Sequence, residues 1–297
     1  MNLCLGTTQF GMNYGIAGQK KPSVECAINC LDYATQNDIL TIDTATAYGT
    51  AEEVVGAFLA KKTIPREKLF ICTKLRPNIL DEVQEKELEN TIRDNLEKSL
   101  LTLHTDYVDA YLLHSARYAH RPEILSALYK MQEKGLARKV GVSVYEPEEA
   151  EACFLDGRMG LVQLPYSIFD HRMKEQGILD SQKKHGCEIH ARSAFIQGLI
   201  TLSEEQVPSF LEKAKPIIRS INKICKDTGL SRVDLAMAYV KRESAVSHLV
   251  FGIDSLEQLK EDIQAFHNPV PEHLLQEMEQ KFQGLDANLV MPSLWKK

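Results

Sequence analysis

An α/β fold closed into a single (β/α)8 TIM barrel is what this sequence predicts, from three observations. Eight short apolar, β-branched runs recur along the 297 residues. Most are continuous rather than alternating, the pattern of parallel strands buried on both faces. Amphipathic stretches of helical spacing separate them, with no Pro/Ser-rich linker and no shift of composition. Barrels of this kind run about 250 residues as one domain. Residues 1–297 therefore read as a single barrel domain.

The strands are expected at Leu3–Gly6, Leu40–Asp43, Leu69–Thr73, Val108–Leu113, Val140–Val144, Leu161–Leu164, Glu188–Ala191 and His248–Phe251. The first helix, Val24–Thr35, follows Pro22-Ser23, a good N-cap. Glu53–Leu59, Glu87–Leu103, Pro122–Lys134, Pro147–Phe154 and Lys174–Lys184 come next. Phe210–Asp227 and Val233–Arg242 place an extra helix between strands 7 and 8, the second capped by Ser231. Ser255-x-x-Gln258 has the form of a capping box opening a final helix to Phe266. A C-terminal tail, Leu289–Lys297, carries the only tryptophan, Trp295.

Composition narrows the function. Hydrophobic residues are 44% and charged residues 26%, enough for a large core. The net charge of -6 argues against a nucleic-acid partner, which would need a basic face. No apolar run nears the roughly 18 residues of a membrane span, and the N-terminus lacks a signal-peptide pattern. The seven cysteines are odd in number, widely spaced and without a C-x-x-C. They read as free thiols of a reducing, cytoplasmic compartment. Nine histidines include no His-x-His and no H-E-x-x-H, so no metal is expected.

Catalytic groups of a β/α barrel sit where strands end. Asp43 follows Leu40-Thr41-Ile42, within Asp43-Thr44-Ala45-Thr46-Ala47-Tyr48-Gly49; Lys74 follows Leu69–Thr73; His114 follows Val108–Leu113. Singly, each has an ordinary reading: a turn acid, a turn aromatic, a solvated lysine, a core histidine. Jointly they bring an acid, a phenol, an amine and an imidazole to one mouth. An ammonium favours the phenolate of a neighbouring Tyr. Asp43 can hold Lys74 charged, and His114 can hydrogen-bond a substrate oxygen. Such a set protonates a carbonyl oxygen while another group supplies hydride.

Those strings, with Leu5-Gly6-Thr7-Thr8-Gln9-Phe10-Gly11, Tyr111-Leu112-Leu113-His114 and Gly141-Val142-Ser143, resemble the aldo-keto reductase superfamily in order and spacing from Leu3 to Phe266. The resemblance implies an NADPH- or NADH-dependent reductase of aldehydes and ketones. Tyr48 would be the general acid, Lys74 would lower its pKa, Asp43 would pair with Lys74, and His114 would orient the carbonyl. Ser143 and Gln163 match positions that hold the nicotinamide carboxamide, and Phe251-Gly252-Ile253-Asp254-Ser255 is the natural phosphate segment.

Three departures from the family pattern stand out. Val144 replaces the usual Asn after Ser143. Arg192-Ser193-Ala194-Phe195 stands where Tyr-Ser-Pro-Leu is common, so the Arg192 guanidinium is expected to stack in place of an aromatic ring. Gln258 and Asp262 occupy positions where Arg and Asn often hold the 2'-phosphate of NADPH. With Asp254 they predict weak discrimination between the two cofactors, tilted toward NADH.

The substrate pocket is expected to use Phe10, Tyr14, Tyr145, Tyr166, Phe169 and Trp295. The partner is then a small carbonyl compound, with sugar-derived ones suggested by a similar bacterial branch of the family. A non-catalytic barrel that binds the nucleotide and reports redox state is the alternative on the same residues.

Overall fold

The computed structural model describes residues 1–16 and 18–295, without the side chains of Lys183 and Lys184. The last two residues of the expected tail, Lys296 and Lys297, lie outside the described residues. Eight strands close a barrel in chain order: β1 Asn2–Gly6, β2 Thr41–Asp43, β3 Phe70–Leu75, β4 Val108–Leu113, β5 Ala137–Ser143, β6 Leu161–Pro165, β7 Glu188–Arg192 and β8 His248–Gly252. Every neighbouring pair is parallel, and β1 meets β8 from Asn2↔His248 to Gly6↔Gly252.

Alternation along the strands divides the apolar residues between two cores. Ile71, Leu75, Tyr111, Leu113, Val140 and Val162 join the helices in the main cluster. Cys72, Ala110, Leu112 and Leu161, with Phe70 against them, form a small second cluster in the barrel interior. Each fully buried aliphatic side chain contributes roughly 1.5–3 kcal/mol by leaving water. Toward the carboxyl ends of the strands the interior turns polar, with Asp43, Lys74, Ser143 and Gln163 all buried. That polar layer is the base of the candidate site.

Local chemistry sets the helices. Ser23 accepts the Cys26 N–H at 3.2 Å to open Val24–Gln36. Glu146 and Glu149 cap Pro147–Asp156, and Gly157, at φ 70°, ends it. Ser231 and Asp234 form a reciprocal box before Arg232–Lys241. The segment between β7 and β8 carries the extra helix, Lys215–Thr228, ahead of Arg232–Lys241.

Four expectations change. The stretch expected at Lys174–Lys184 is two helices, Arg172–Glu175 and Ile178–His185, broken at Gly177 with φ 73°. Phe210 lies in a 3-10 turn, Ser209–Ala214, before the α-helix begins. Ser255 accepts the Gln258 N–H at 3.2 Å, but the Gln258 side chain reaches past it to accept from Asp254 N at 2.8 Å, so the reciprocal box is not made. A further helix, Glu272–Lys281, follows Pro271 and buries Leu274, Leu275 and Met278. Among the described residues, no helix is long and apolar enough to cross a membrane, and all seven cysteines are free.

Candidate active site

Asp43 ends β2, and Lys74 lies within β3 rather than after it, since β3 runs on to Leu75. Their register neighbours put both on the inner face. Lys74 Nζ is completely buried and donates to Asp43 Oδ1 and Oδ2 at 2.7 and 2.8 Å, to Thr44 O at 3.0 Å and to Tyr48 Oη at 3.2 Å. Burial works against the ammonium, but Asp43 more than offsets it and holds the Lys74 pKa above its usual value.

Tyr48 sits in the loop from β2 to the helix Ala51–Ala60. Close backbone contact fixes that loop. Gly49 has φ 59°, and a Cβ there would lie 2.4 Å from Gly11 O. A Cβ on Gly11 would lie 1.7 Å from Tyr48 O. Thr50 donates to Gly11 O through its N–H (3.2 Å) and its hydroxyl (3.3 Å). The Gln-Phe-Gly and Tyr-Gly strings thus seat the phenol by letting two loops touch.

The Tyr48 phenol has its pKa raised by burial, with Asp43 adding to the rise, and the Lys74 ammonium pulling down does not overcome it. The lysine acts in the expected direction, and desolvation is larger. The His114 ring meets Tyr48 edge-on, centroids 5.6 Å apart. Burial, then the charge of Lys74, lowers its pKa to about 3, so the ring is neutral near pH 7. Its Nδ1 is buried and has no hydrogen-bond partner among the described residues.

Gln163 and Ser143 extend the network. Gln163 Nε2 donates to Asp43 Oδ1 at 2.7 Å, and Ser143 Oγ donates to Gln163 Oε1 at 3.4 Å. Gln163 thus buttresses Asp43, and Ser143 buttresses Gln163. Nothing in the linear spacing of residues 43 and 163 signals that bond.

Arg192 ends β7, donates to Val144 O at 2.7 Å and lies 4.3 Å over the Tyr145 ring. One face of the guanidinium is thus stacked on a protein aromatic. It also donates to Ser193 Oγ at 3.2 Å. The backbone that follows is unusual: Ser193, Ile196 and Gln197 have φ of 64°, 47° and 54°. A β-branched residue there is strained. Gln197 O accepts from Ile16 N at 2.9 Å, which ties this loop to the segment carrying Tyr14. Tyr14 is 39% exposed, and Phe195 is half-buried beside the same loop.

Gly252 is exposed, and a Cβ on it would meet no atom nearer than Gly6 O at 4.0 Å, so the backbone is open to a close ligand. It leads through Ser255 into the helix Leu256–His267. Outward N–H groups at such a helix start suit an anionic group such as a phosphate. Asp262 is 2% exposed, its Oδ2 has no partner among the described residues, and burial raises its pKa to about 8. It does not face solvent as a phosphate contact would, and it is mostly uncharged near pH 7.

The expected pocket divides. Tyr14 and Tyr145 stand near Arg192. Phe10, Tyr166 and Phe169 are buried in the main core, Tyr166 against Tyr239 and Phe169 against Phe282. Period-two and helical patterns mark such residues as apolar without saying which layer they face. Trp295 packs on Phe210 at 6.2 Å.

The sequence model of the Aldo/keto reductase family matches residues 2–282. An uncharacterized oxidoreductase of Bacillus subtilis is 26% identical over 80% of this chain and 81% of its own. An NADH-specific methylglyoxal reductase of Escherichia coli is 23% identical over 76% of this chain and 78% of its own. In fold, an aldo-keto reductase of Bacillus halodurans in its holo form superposes with a TM-score of 0.74 at 21% identity, covering 94% of this chain and 91% of the other.

Proposed function

The chain belongs to the aldo/keto reductase family and is an NAD(P)-dependent oxidoreductase, and from that premise we propose that it reduces an aldehyde or ketone with Tyr48 as general acid. The observation that carries this reading is the direction of one hydrogen bond. A lysine ammonium has three donors and no acceptor. At 3.2 Å, Lys74 must therefore donate to the Tyr48 oxygen. The phenolic hydrogen then points elsewhere, to where a carbonyl oxygen can take it.

A reduced nicotinamide nucleotide supplies the hydride to the carbonyl carbon when bound. The residues manage the proton. Burial keeps Tyr48 protonated at neutral pH, so the acid form is the resting form. As the phenol gives its proton to the carbonyl oxygen, the new phenolate is held by Lys74, and Lys74 by Asp43 and Gln163. His114, neutral near pH 7, offers a hydrogen bond and not a mobile proton. This division of labour supports Tyr48 rather than His114 as the acid.

Gly252, Ser255 and Arg192 are the groups we assign to the cofactor phosphates. Asp254 adds a negative charge near Gln258, whose side chain is already engaged by the Asp254 N–H. No basic side chain is supplied by Gln258 or Asp262, so NADH binds at least as tightly as NADPH. Dissociation constants measured by quenching of protein fluorescence test this; a large preference for NADPH defeats it. We take the substrate to be a small carbonyl compound, sugar-derived ones included, and the setting to be the reducing cytoplasm, which free thiols suit. Initial rates of cofactor oxidation over aldehydes, ketoses and dicarbonyls test the activity, and no turnover with any carbonyl would overturn it.

A further inference from the structure

We propose that Glu188, His190 and His248 form a second site, on the barrel floor, that binds a divalent transition metal of the zinc class. β7 alternates so that Glu188, His190 and Arg192 share the inner face. Arg192 is at the mouth, two residues beyond His190; Glu188 is at the opposite end of the strand. His190 pairs in register with His248, the first residue of β8. Two imidazoles thus stand side by side, ring centroids 4.4 Å apart, above the Phe70 ring and beside one carboxylate.

The spacing is that of a ligand set. Glu188 Oε1 lies 3.5 Å from His190 Nε2 and 3.4 Å from His248 Nδ1, and one ligand atom from each residue lies within 4.8 Å of the others. Zinc–nitrogen and zinc–oxygen bonds of about 2.0–2.2 Å in a tetrahedron give edges of about 3.4 Å. The second carboxylate oxygen is held by the Lys139 ammonium, the outer hydrogen bond that a ligating carboxylate ordinarily has. Three protein ligands leave a fourth position for water, which can reach the partly exposed rims of Glu188 and His248.

An independent observation points to a missing ligand. His190 is completely buried, and neither ring nitrogen makes a hydrogen bond among the described residues. Its Nε2 has a long ion-pair contact with Glu188 Oε1, 3.5 Å away. Buried polar groups left this way are rare and costly. A cation at the shared vertex would engage His190, Glu188 Oε1 and His248 together, His248 Nδ1 exchanging its 3.2 Å contact with Ser247 Oγ for the ion. The ligand set joins β7 to β8 from below, so the ion would act as a structural clamp separate from the Tyr48 chemistry. The sequence holds half the signal, Glu188-Ile-His190, whose spacing shares a strand face; the third ligand is fifty-eight residues further on.

The test uses full-length, untagged protein stripped with chelator and titrated with Zn2+ alone and with Co2+ alone. Wild type should take up one equivalent of zinc per chain, with a higher melting temperature. Cobalt should give visible ligand-field bands without thiolate charge transfer. Glu188→Gln and His248→Gln should each weaken zinc binding by at least about tenfold while keeping the circular dichroism of wild type. The exposed His273→Gln control should bind as wild type does. Failure of the stripped wild-type protein to bind zinc, binding equal in the Glu188 and His248 variants, or thiolate bands with cobalt would overturn the proposal. None of these readouts depends on carbonyl reduction.

Discussion

Replacing Lys74 with Met removes a buried charge and keeps most of the side-chain volume. The consequences follow from four contacts. Lys74 Nζ is 3.2 Å from the Tyr48 oxygen. At an effective dielectric of about 20, an ammonium and a phenolate at that distance attract by roughly 5 kcal/mol. Loss of that attraction makes the phenol a weaker acid by up to about 4 pKa units. If roughly half is felt in the transition state, reduction slows by about a hundredfold. Stability falls as well, because Asp43, 3% exposed, loses its counter-charge. Orphaning one member of a buried pair costs about 3–5 kcal/mol. For a chain of this length that is a drop in melting temperature of about 5–8 °C. Gln163 still donates to Asp43 and softens the loss. The double variant Lys74→Met/Asp43→Asn should recover most of the melting temperature and none of the rate. Steady-state cofactor oxidation and thermal melts of the three proteins decide it. A Lys74→Met enzyme within twofold of the wild-type rate, or a double variant that regains activity, would refute the reasoning.

Three further outcomes are expected. Gly11→Ala forces a Cβ to 1.7 Å from Tyr48 O, so the phenol loop must move; activity should fall along with a stability loss of about 1–3 kcal/mol or more, read by rate and urea melts. Asp262 takes up a proton on folding, since its pKa rises from 3.8 unfolded to about 8. The folded state then binds more protons between about pH 4 and 8, so stability falls across that window as pH rises and levels off above it. Asp262→Asn should flatten this slope and stabilise the protein by about 2–4 kcal/mol at pH 8, read by urea unfolding at pH 5 and 8; an unchanged slope contradicts it. For His114, a pKa of about 3 predicts that no step in the reduction rate between pH 5 and 8 arises from its titration, and His114→Gln should leave the pH profile unshifted while lowering the rate.

Much of the barrel was legible because parallel strands buried on both faces leave unbroken apolar runs. Val108–Leu113 falls on the expected bounds, and the other strands differ by a few residues at their ends. The four candidate groups were legible too, since Asp43 closes β2, Lys74 lies one residue short of the end of β3, and Tyr48 and His114 follow strands. What the sequence concealed depends on sidedness and on contacts between distant strands. Phe10, Tyr166 and Phe169 look like pocket aromatics and are core, because an apolar side chain near a strand end can face either way. The Gln163–Asp43 bond spans 120 residues, and only barrel closure reveals it. Likewise, only the fold shows that Tyr145 covers one face of Arg192. The floor cluster escaped a search for His-x-His because its third member comes from the neighbouring strand.

The central claim is that the Tyr48 hydroxyl delivers the proton to a carbonyl oxygen. Tyr48→Phe isolates it, because only the hydroxyl leaves while Lys74, Asp43 and the loop contacts remain. With any aldehyde that the wild-type protein reduces, the account predicts a rate lower by about 10²–10⁴-fold, with the dissociation constant for the nicotinamide cofactor within about threefold of wild type. A Tyr48→Phe protein that keeps most of its carbonyl-reducing rate would contradict it.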